Sequence, residues 1–268
     1  MQLLCIGDLH LGRDEWQPTI PPAWHTYDCI LLVGDIADSH ATATDEIYAF
    51  YESLGELDPP VITIPGNHDY QTQPQTIADI PGISNGHATR VTGTDAAIAG
   101  LGSTVFDEGP EIRGPQLTNA PTAASLVDQL ADATESGRSA AGASTPFSDD
   151  ALTWYQDRLE ALRQLQLEEG DQPRILLTHV PPYGTQGAKL NSHPHYESSV
   201  SWGSLALRRY LDTTPIELNL CGHIHEQAGH DIVEGTVTLN AGYRQAFAIT
   251  VSASGVQSID EVSVESQA

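Results

Sequence analysis

Cys29-Ile30-Leu31-Leu32-Val33-Gly34-Asp35-Ile36-Ala37-Asp38 is five apolar residues closed by Gly-Asp, with a second Asp three places on. A short run of Ile, Val and Leu ending at a glycine reads as a strand buried on both faces. The same pattern recurs along the chain. Residues 3–6 lead into Gly7-Asp8-Leu9-His10, and 61–64 into Pro65-Gly66-Asn67-His68-Asp69. Residues 175–177 lead into Thr178-His179, and 217–221 into Gly222-His223-Ile224-His225. Helical stretches lie between these runs at 41–54, 149–167 and 204–211. In the second, Tyr155, Leu159 and Leu162 share a face, with Ser148 as N-cap. Strands alternating with helices predict an α/β sandwich. The tail reads differently: 232–240, 246–252 and 256–264 are expected as successive strands of a meander. Residues 107–147 are rich in Ala, Ser, Thr, Gly and Pro and read as an insertion, a lid or a mobile loop, with a short helix near 123–133.

The chain has 268 residues, which suits a single domain spanning 1–268. A chain of this size buries roughly 70–75% of its unfolded surface and needs no disulfide to build a core. No apolar run approaches the roughly 18 residues of a membrane span, and the start lacks a basic n-region, so the expected location is the cytoplasm. Cys5, Cys29 and Cys221 each sit in or beside an apolar run and read as reduced, buried thiols. Thirty-six acids face eleven bases, for a net charge of −25, and only Lys189 among the bases is a lysine. Such a bias across the whole chain fits adaptation to molar salt, where screening shortens to about 3 Å. The other reading is an acidic surface that avoids nucleic acid, which is normally held by Lys and Arg; salt adaptation weakens that exclusion, so a nucleic-acid partner is possible but not favoured.

Each strand-like run delivers polar residues at its carboxyl end, where open α/β sheets bind ligands. The types gathered there are imidazole, carboxylate and one amide. They are ligands for Mn, Fe or Zn rather than for a calcium or thiolate site.

The ordered set Asp8-x-His10, Gly34-Asp35-x-x-Asp38, Gly66-Asn67-His68-Asp69, His179 and Gly222-His223-x-His225 resembles that of the calcineurin-like metallophosphoesterases. Every piece is present, in order, over most of the chain. The resemblance implies a four-layer αββα sandwich of two mixed β-sheets flanked by helices. It implies one cation held by Asp8, His10, Asp35 and His225, and a second by Asp35, Asn67, His179 and His223. The cations would be two divalent ions, Mn²⁺ foremost, with Fe, Zn, Ni or Co as alternatives. A bridging hydroxide would attack phosphorus in line. Two such ions outweigh two carboxylates, so the centre stays positive and attracts a phosphate. His68 would protonate the leaving oxygen or stabilise charge on phosphorus, and Asp38 would orient it.

Thr178-His179-Val180-Pro181-Pro182-Tyr183-Gly184 and Cys221-Gly222-His223-Ile224-His225-Glu226 are similar to the Icc-like branch, relatives of cyclic-nucleotide phosphodiesterases. That branch often carries an acid where Gly187-Ala188-Lys189 stand here. The expected substrate is a phosphodiester or phosphomonoester of a small molecule or nucleotide, with a diester or cyclic nucleotide favoured. A nuclease of the same superfamily and a catalytically silent, metal-stabilised interaction module are the alternatives. Gly7-Asp8-Leu9-His10-Leu11-Gly12 is also similar to the repair-nuclease branch. Asn240 reads as structural, His193 and His195 as a solvated loop pair, and the four tryptophans as packing. Trp202 and Tyr183 are candidates to stack on a base, and Arg13 lies near the site in sequence.

Overall fold

The computed structural model describes residues 1–38, 44–69, 77, 79–91, 94–103, 128, 149–167, 171–190 and 200–264. Two six-stranded mixed sheets form the centre. In the first, β1 (Gln2–Gly7), β2 (Cys29–Leu32), β3 (Val61–Thr63) and β4 (Ile83–Asn85) are parallel neighbours. β13 (Gln245–Ser252) runs antiparallel beside β1, and β14 (Gly255–Val262) beside β13. In the second sheet the order is β11 (Gly229–Val233), β12 (Thr236–Asn240), β10 (Leu218–Cys221), β7 (Arg174–Thr178), β6 (Ala97–Leu101), β5 (Thr89–Val91). Its edge pairs are antiparallel and its inner pairs parallel. A two-stranded ribbon joins β8 (Lys189–Leu190) to β9 (Val200–Ser201).

Strand alternation divides the core into layers. Leu3, Cys5, Leu31, Val33, Ile62 and Ile64 face Ile98, Ile175, Leu177, Leu218, Leu220 and Leu239 between the sheets. On the outer face of the first sheet, Leu4, Ile6, Ile30 and Leu32 meet Ile47, Phe50, Tyr51 and Leu54 of helix α1 (Thr44–Gly55). Beyond the second sheet, Leu176 and Ala99 meet Tyr155, Leu159 and Leu162 of α2 (Asp149–Gln164), with Leu207, Tyr210 and Leu211 of α3 (Leu205–Thr213). The result is the helix–sheet–sheet–helix sandwich expected. Strands covered on both faces must be apolar throughout, which is why they read as unbroken runs. Ser204 caps α3, its hydroxyl accepting from Leu207 N–H at 3.1 Å. The three cysteines are buried free thiols.

The meander expectation fails at two points. Residues 232–240 are not one strand: a turn at Glu234-Gly235, with φ of 45° and 91°, splits them into β11 and β12. The chain then leaves the second sheet after Asn240 and enters the first at Gln245, so the tail is two hairpins in different sheets. The insertion at 107–147 with its short helix, His193, His195 and the Ser148 cap lie outside the described residues, apart from Asp128.

Candidate metal centre

Asp8, Asp35, Asn67, His179 and His223 all follow the carboxyl ends of parallel strands, three in one sheet and two in the other. Hydrogen bonds join the two sets of ends. His223 N–H donates to both Asp8 carboxylate oxygens, at 3.0 and 3.1 Å. The Nδ1–H of His179 donates to Val33 O at 2.9 Å. The turns are tight: Asp8, His10, Asp35 and His223 hold φ of 50°, 49°, 52° and 73°. Non-glycine residues in the left-handed region cost about 1–2 kcal/mol each, and such strain collects at functional sites. Two glycines permit the approach. A Cβ on Gly66 would collide with Asp35 Oδ1, and one on Gly222 with Asp8 Oδ2.

Two groups of donor atoms result. In the first, ligand atoms of Asp8, His10, Asp35 and His225 all lie within 4.8 Å of one another. His10 Nε2 is 3.0 Å from His225 Nε2 and 3.7 Å from Asp35 Oδ2, while His225 Nε2 is 3.4 Å from Asp8 Oδ1. In the second, Asn67 Oδ1 is 2.9 Å from both His179 Nε2 and His223 Nδ1. Asp35 Oδ2 completes it, 3.2 Å from His179 Nε2. Asp35 therefore stands between the groups, its other oxygen accepting from His68 N–H at 2.7 Å.

The donor atoms fit divalent cations. His10 uses Nδ1 on Asp38 Oδ2 at 3.2 Å, and His179 uses Nδ1 on Val33 O. Each Nε2 lone pair then faces oxygen acceptors or another imidazole nitrogen. Acceptors facing acceptors at about 3 Å repel unless a cation or a proton lies between them. Imidazole, carboxylate and amide oxygen suit Mn, Fe, Co, Ni or Zn. Without metal, a proton answers part of this need. Burial opposes a charge on His179, yet the Asp35 carboxylate, with help from Asp8 and Val33 O, pushes it up to about 9. Burial and the His179 charge push His223 down to about 3. Burial lowers His10 against the pull of Asp35 and Asp8. Burial would raise Asp35, but His179 and His10 hold its carboxyl well below the carboxylate range.

Asp38 lies between two imidazoles. Its Oδ2 is 3.2 Å from His10 Nδ1 and 3.9 Å from His68 Nδ1, so the donor-group histidine is the nearer partner. A carboxylate behind a ligating histidine sets the tautomer and raises its basicity. Asp38→Asn is expected to weaken divalent-cation affinity about 10–100-fold, measured by competition with a chelating dye. Wild-type affinity in this variant would leave Asp38 with the orientation of His68 alone.

Two features carry roles that the motifs did not convey. Asp69 is buried, and its carboxylate accepts N–H bonds from Asp35 at 2.8 Å, Gly66 at 2.6 Å and Ala37 at 3.1 Å. It ties the turn after β2 to the turn after β3. Tyr243 packs its ring on His225 at 5.0 Å and His10 at 5.8 Å between centroids. Arg244 donates to Leu9 O and Asp14, and its guanidinium lies 4.3 Å over Trp16 and 4.8 Å over Tyr243. The sequence signal was only their place just after Asn240. That side chain donates to Gly187 O and Ile224 O and accepts from Gly242 N–H, which fixes the crossover between sheets.

A two-sheet α/β sandwich with histidine, aspartate and asparagine donors converging at its strand ends defines a metallophosphoesterase-type scaffold. The chain belongs to the calcineurin-like phosphoesterase family, whose family model matches residues 1–227. It is 28% identical over 99 residues to the 3′,5′-cyclic adenosine monophosphate phosphodiesterase CpdA of Escherichia coli K12. That stretch is 31% of this chain and 35% of the relative, so the chain matches about a third of the length of the curated relatives. The fold is similar to the crystal structure of phosphopantetheinyl hydrolase PptH from Mycobacterium tuberculosis. The TM-score there is 0.55 at 17% identity, covering 90% of this chain and 89% of that one. Another solved structure reaches a TM-score of 0.59 at 13% identity over 98% of this chain and 99% of its own.

Proposed function

We propose that the chain is a metal-dependent phosphodiesterase acting on a small organic phosphate ester, a nucleotide among them. The observation that carries this reading is Asp35, set between two groups of facing acceptors drawn from five strand ends. On this reading Asp8, His10, Asp35 and His225 hold one divalent cation, and Asp35, Asn67, His179 and His223 hold the other. When bound, two such ions supply Lewis-acid polarisation of the phosphoryl oxygens and an acidified water for in-line displacement.

The chain's own residues do the rest. Val33 O and Asp38 fix the tautomers of His179 and His10. His223 N–H holds the Asp8 carboxylate from both oxygens. His68, with its side chain 36% exposed beside the donor groups, faces the entering ester and can give a proton to the departing oxygen.

The diester preference is supported by the 99-residue likeness to a cyclic-nucleotide phosphodiesterase. Hydrolysis of a bis-aryl phosphate and an aryl monophosphate side by side, in molar KCl with Mn²⁺ and then with chelator, tests it. The expected result is Mn²⁺-dependent turnover favouring the diester and lost on chelation. Preference for the monoester overturns the diester assignment, and no turnover with two cations bound per chain overturns the enzymatic reading.

A further inference from the structure

The imidazoles of the centre are not anchored alike. His10 and His179 each place Nδ1 on a protein acceptor, Asp38 Oδ2 at 3.2 Å and Val33 O at 2.9 Å, which fixes the ring while Nε2 faces the donor atoms. His225 has no such bond. Its Nε2 faces His10 Nε2 and Asp8 Oδ1, and among the described residues its Nδ1 meets no hydrogen-bond partner. Its side chain is 30% exposed, whereas that of His10 is wholly buried. A ligating ring that no hydrogen bond orients has its position set by packing alone.

What packs on it is Tyr243. The two ring centroids are 5.0 Å apart with the planes at 35°, and the same tyrosine ring lies 5.8 Å from that of His10. The Tyr243 hydroxyl makes no hydrogen bond among the described residues, so the contact belongs to the ring. The backbone sets it there: Tyr243 N–H donates to His225 O at 3.3 Å, and Arg244 N–H to Asp8 O at 3.2 Å. Arg244 holds φ of 55°, a left-handed conformation in which glycine would be unstrained. Its side chain accounts for an arginine there. Nε donates to Leu9 O at 3.2 Å, and the guanidinium lies 4.8 Å from the Tyr243 ring centre. The Arg244 charge, which would repel a cation, is answered by Asp14 at 2.7 Å. Among the described residues, every hydrogen bond and ring contact that Tyr243 and Arg244 make with the centre falls on Asp8, Leu9, His10 or His225. None falls on Asn67, His179 or His223, the donors particular to the second group.

We infer that Tyr243 is the positioning residue of the first cation site: its ring, backed by Arg244, holds the His225 imidazole where hydrogen bonds hold His10 and His179, and so sets the affinity of that site alone. The inference rests on the two-cation reading above. Fixing the His225 ring before a cation arrives removes an ordering cost from binding, because the donor no longer has to be immobilised by the ion itself. Aromatic ring contacts of this kind are worth up to about tenfold in an equilibrium constant. The second group gains nothing from this ring, since its own imidazole His179 is fixed by Val33 O in the other sheet.

The test titrates Mn²⁺ into the protein in molar KCl and follows the free ion by electron paramagnetic resonance. Wild type is expected to hold two cations. Tyr243→Ala should weaken one of them about tenfold and leave the other within about twofold of wild type. Tyr243→Phe, which keeps the ring, should match wild type at both. Asn67→Ala takes the amide oxygen from the second group and so marks the sites. The cation weakened by Tyr243→Ala must be the one that Asn67→Ala leaves in place, and the double variant must weaken both. Equal weakening of both cations by Tyr243→Ala, or weakening of the same cation by both substitutions, overturns the inference. So does a Tyr243→Ala protein with wild-type affinities, or a Tyr243→Phe protein that loses as much as the alanine variant. A wild type that holds one cation overturns the two-cation reading instead. Tyr243 then keeps its role only if Tyr243→Ala weakens that cation and Asn67→Ala does not.

Discussion

Asp69→Ala is expected to lower the melting temperature by about 10–20 °C and to weaken divalent-cation affinity. The buried Asp69 carboxylate holds three backbone N–H groups, from Asp35, Ala37 and Gly66. Hydrogen bonds to a charged group contribute about 1.5–3 kcal/mol each, and alanine leaves all three donors buried and unpaired, a loss of ~5 kcal/mol. At about 2–4 °C per kcal/mol for a chain of this size, the fall in melting temperature follows. Cation affinity drops because Asp35 and Asn67 leave the two turns that this carboxylate ties together. Asp69→Asn separates charge from hydrogen bonding. An amide oxygen in the Oδ2 position keeps the bonds from Asp35 and Gly66 but sets an NH₂ against Ala37 N–H. Burial and the nearby Asp35 charge already push the Asp69 carboxyl up to about 6, so ionising it is costly in the metal-free chain. The asparagine variant should therefore fall between wild type and alanine. An alanine variant that melts within about 2 °C of wild type and keeps its cations would remove Asp69 from this role.

Asp69 also shows where the sequence stops being readable. The donor residues were legible because each follows an apolar run, and runs buried on both faces stand out. These residues converge, whatever their chain order, because all leave the carboxyl ends of parallel strands in the two facing sheets. β4 to β6 were not legible. Ile83–Asn85 and Thr89–Val91 are three residues each, and Ala97–Leu101 packs small side chains, so none makes a hydrophobic run. Asp69 was visible as the end of Gly-Asn-His-Asp, but its partners are backbone groups, which carry no sequence signature. Tyr243 and Arg244 depend on the crossover after β12, which returns the chain to β1 and sets Arg244 on Asp14, 230 positions away. A reading of the tail as one meander has no such crossover, so it cannot bring Tyr243 to His225.

His68→Ala is expected to lower turnover about 10²–10⁴-fold while leaving cation content unchanged. The separation of effects comes from the two halves of the residue. Its backbone N–H donates to Asp35 Oδ1 at 2.7 Å, and alanine keeps that bond, so the carboxylate between the donor groups stays in place. The side chain is 36% exposed, with Nδ1 3.9 Å from Asp38 and its ring edge-on to His10 at 4.7 Å between centroids. On the proposed reading it meets an ester oxygen rather than completing either donor group. A series of aryl diesters distinguishes its two possible roles. If the imidazole gives a proton to the departing oxygen, the deficit of His68→Ala shrinks as the leaving phenol becomes more acidic, because a stable phenolate needs no proton. If it stabilises charge on the phosphoryl oxygens, the deficit is the same across the series. His68, His10 and Asp38 also present ligand atoms within 4.8 Å of one another, which gives a definite competing arrangement. Loss of a cation on replacing His68 would establish that arrangement and overturn the assignment of His68 as a proton donor.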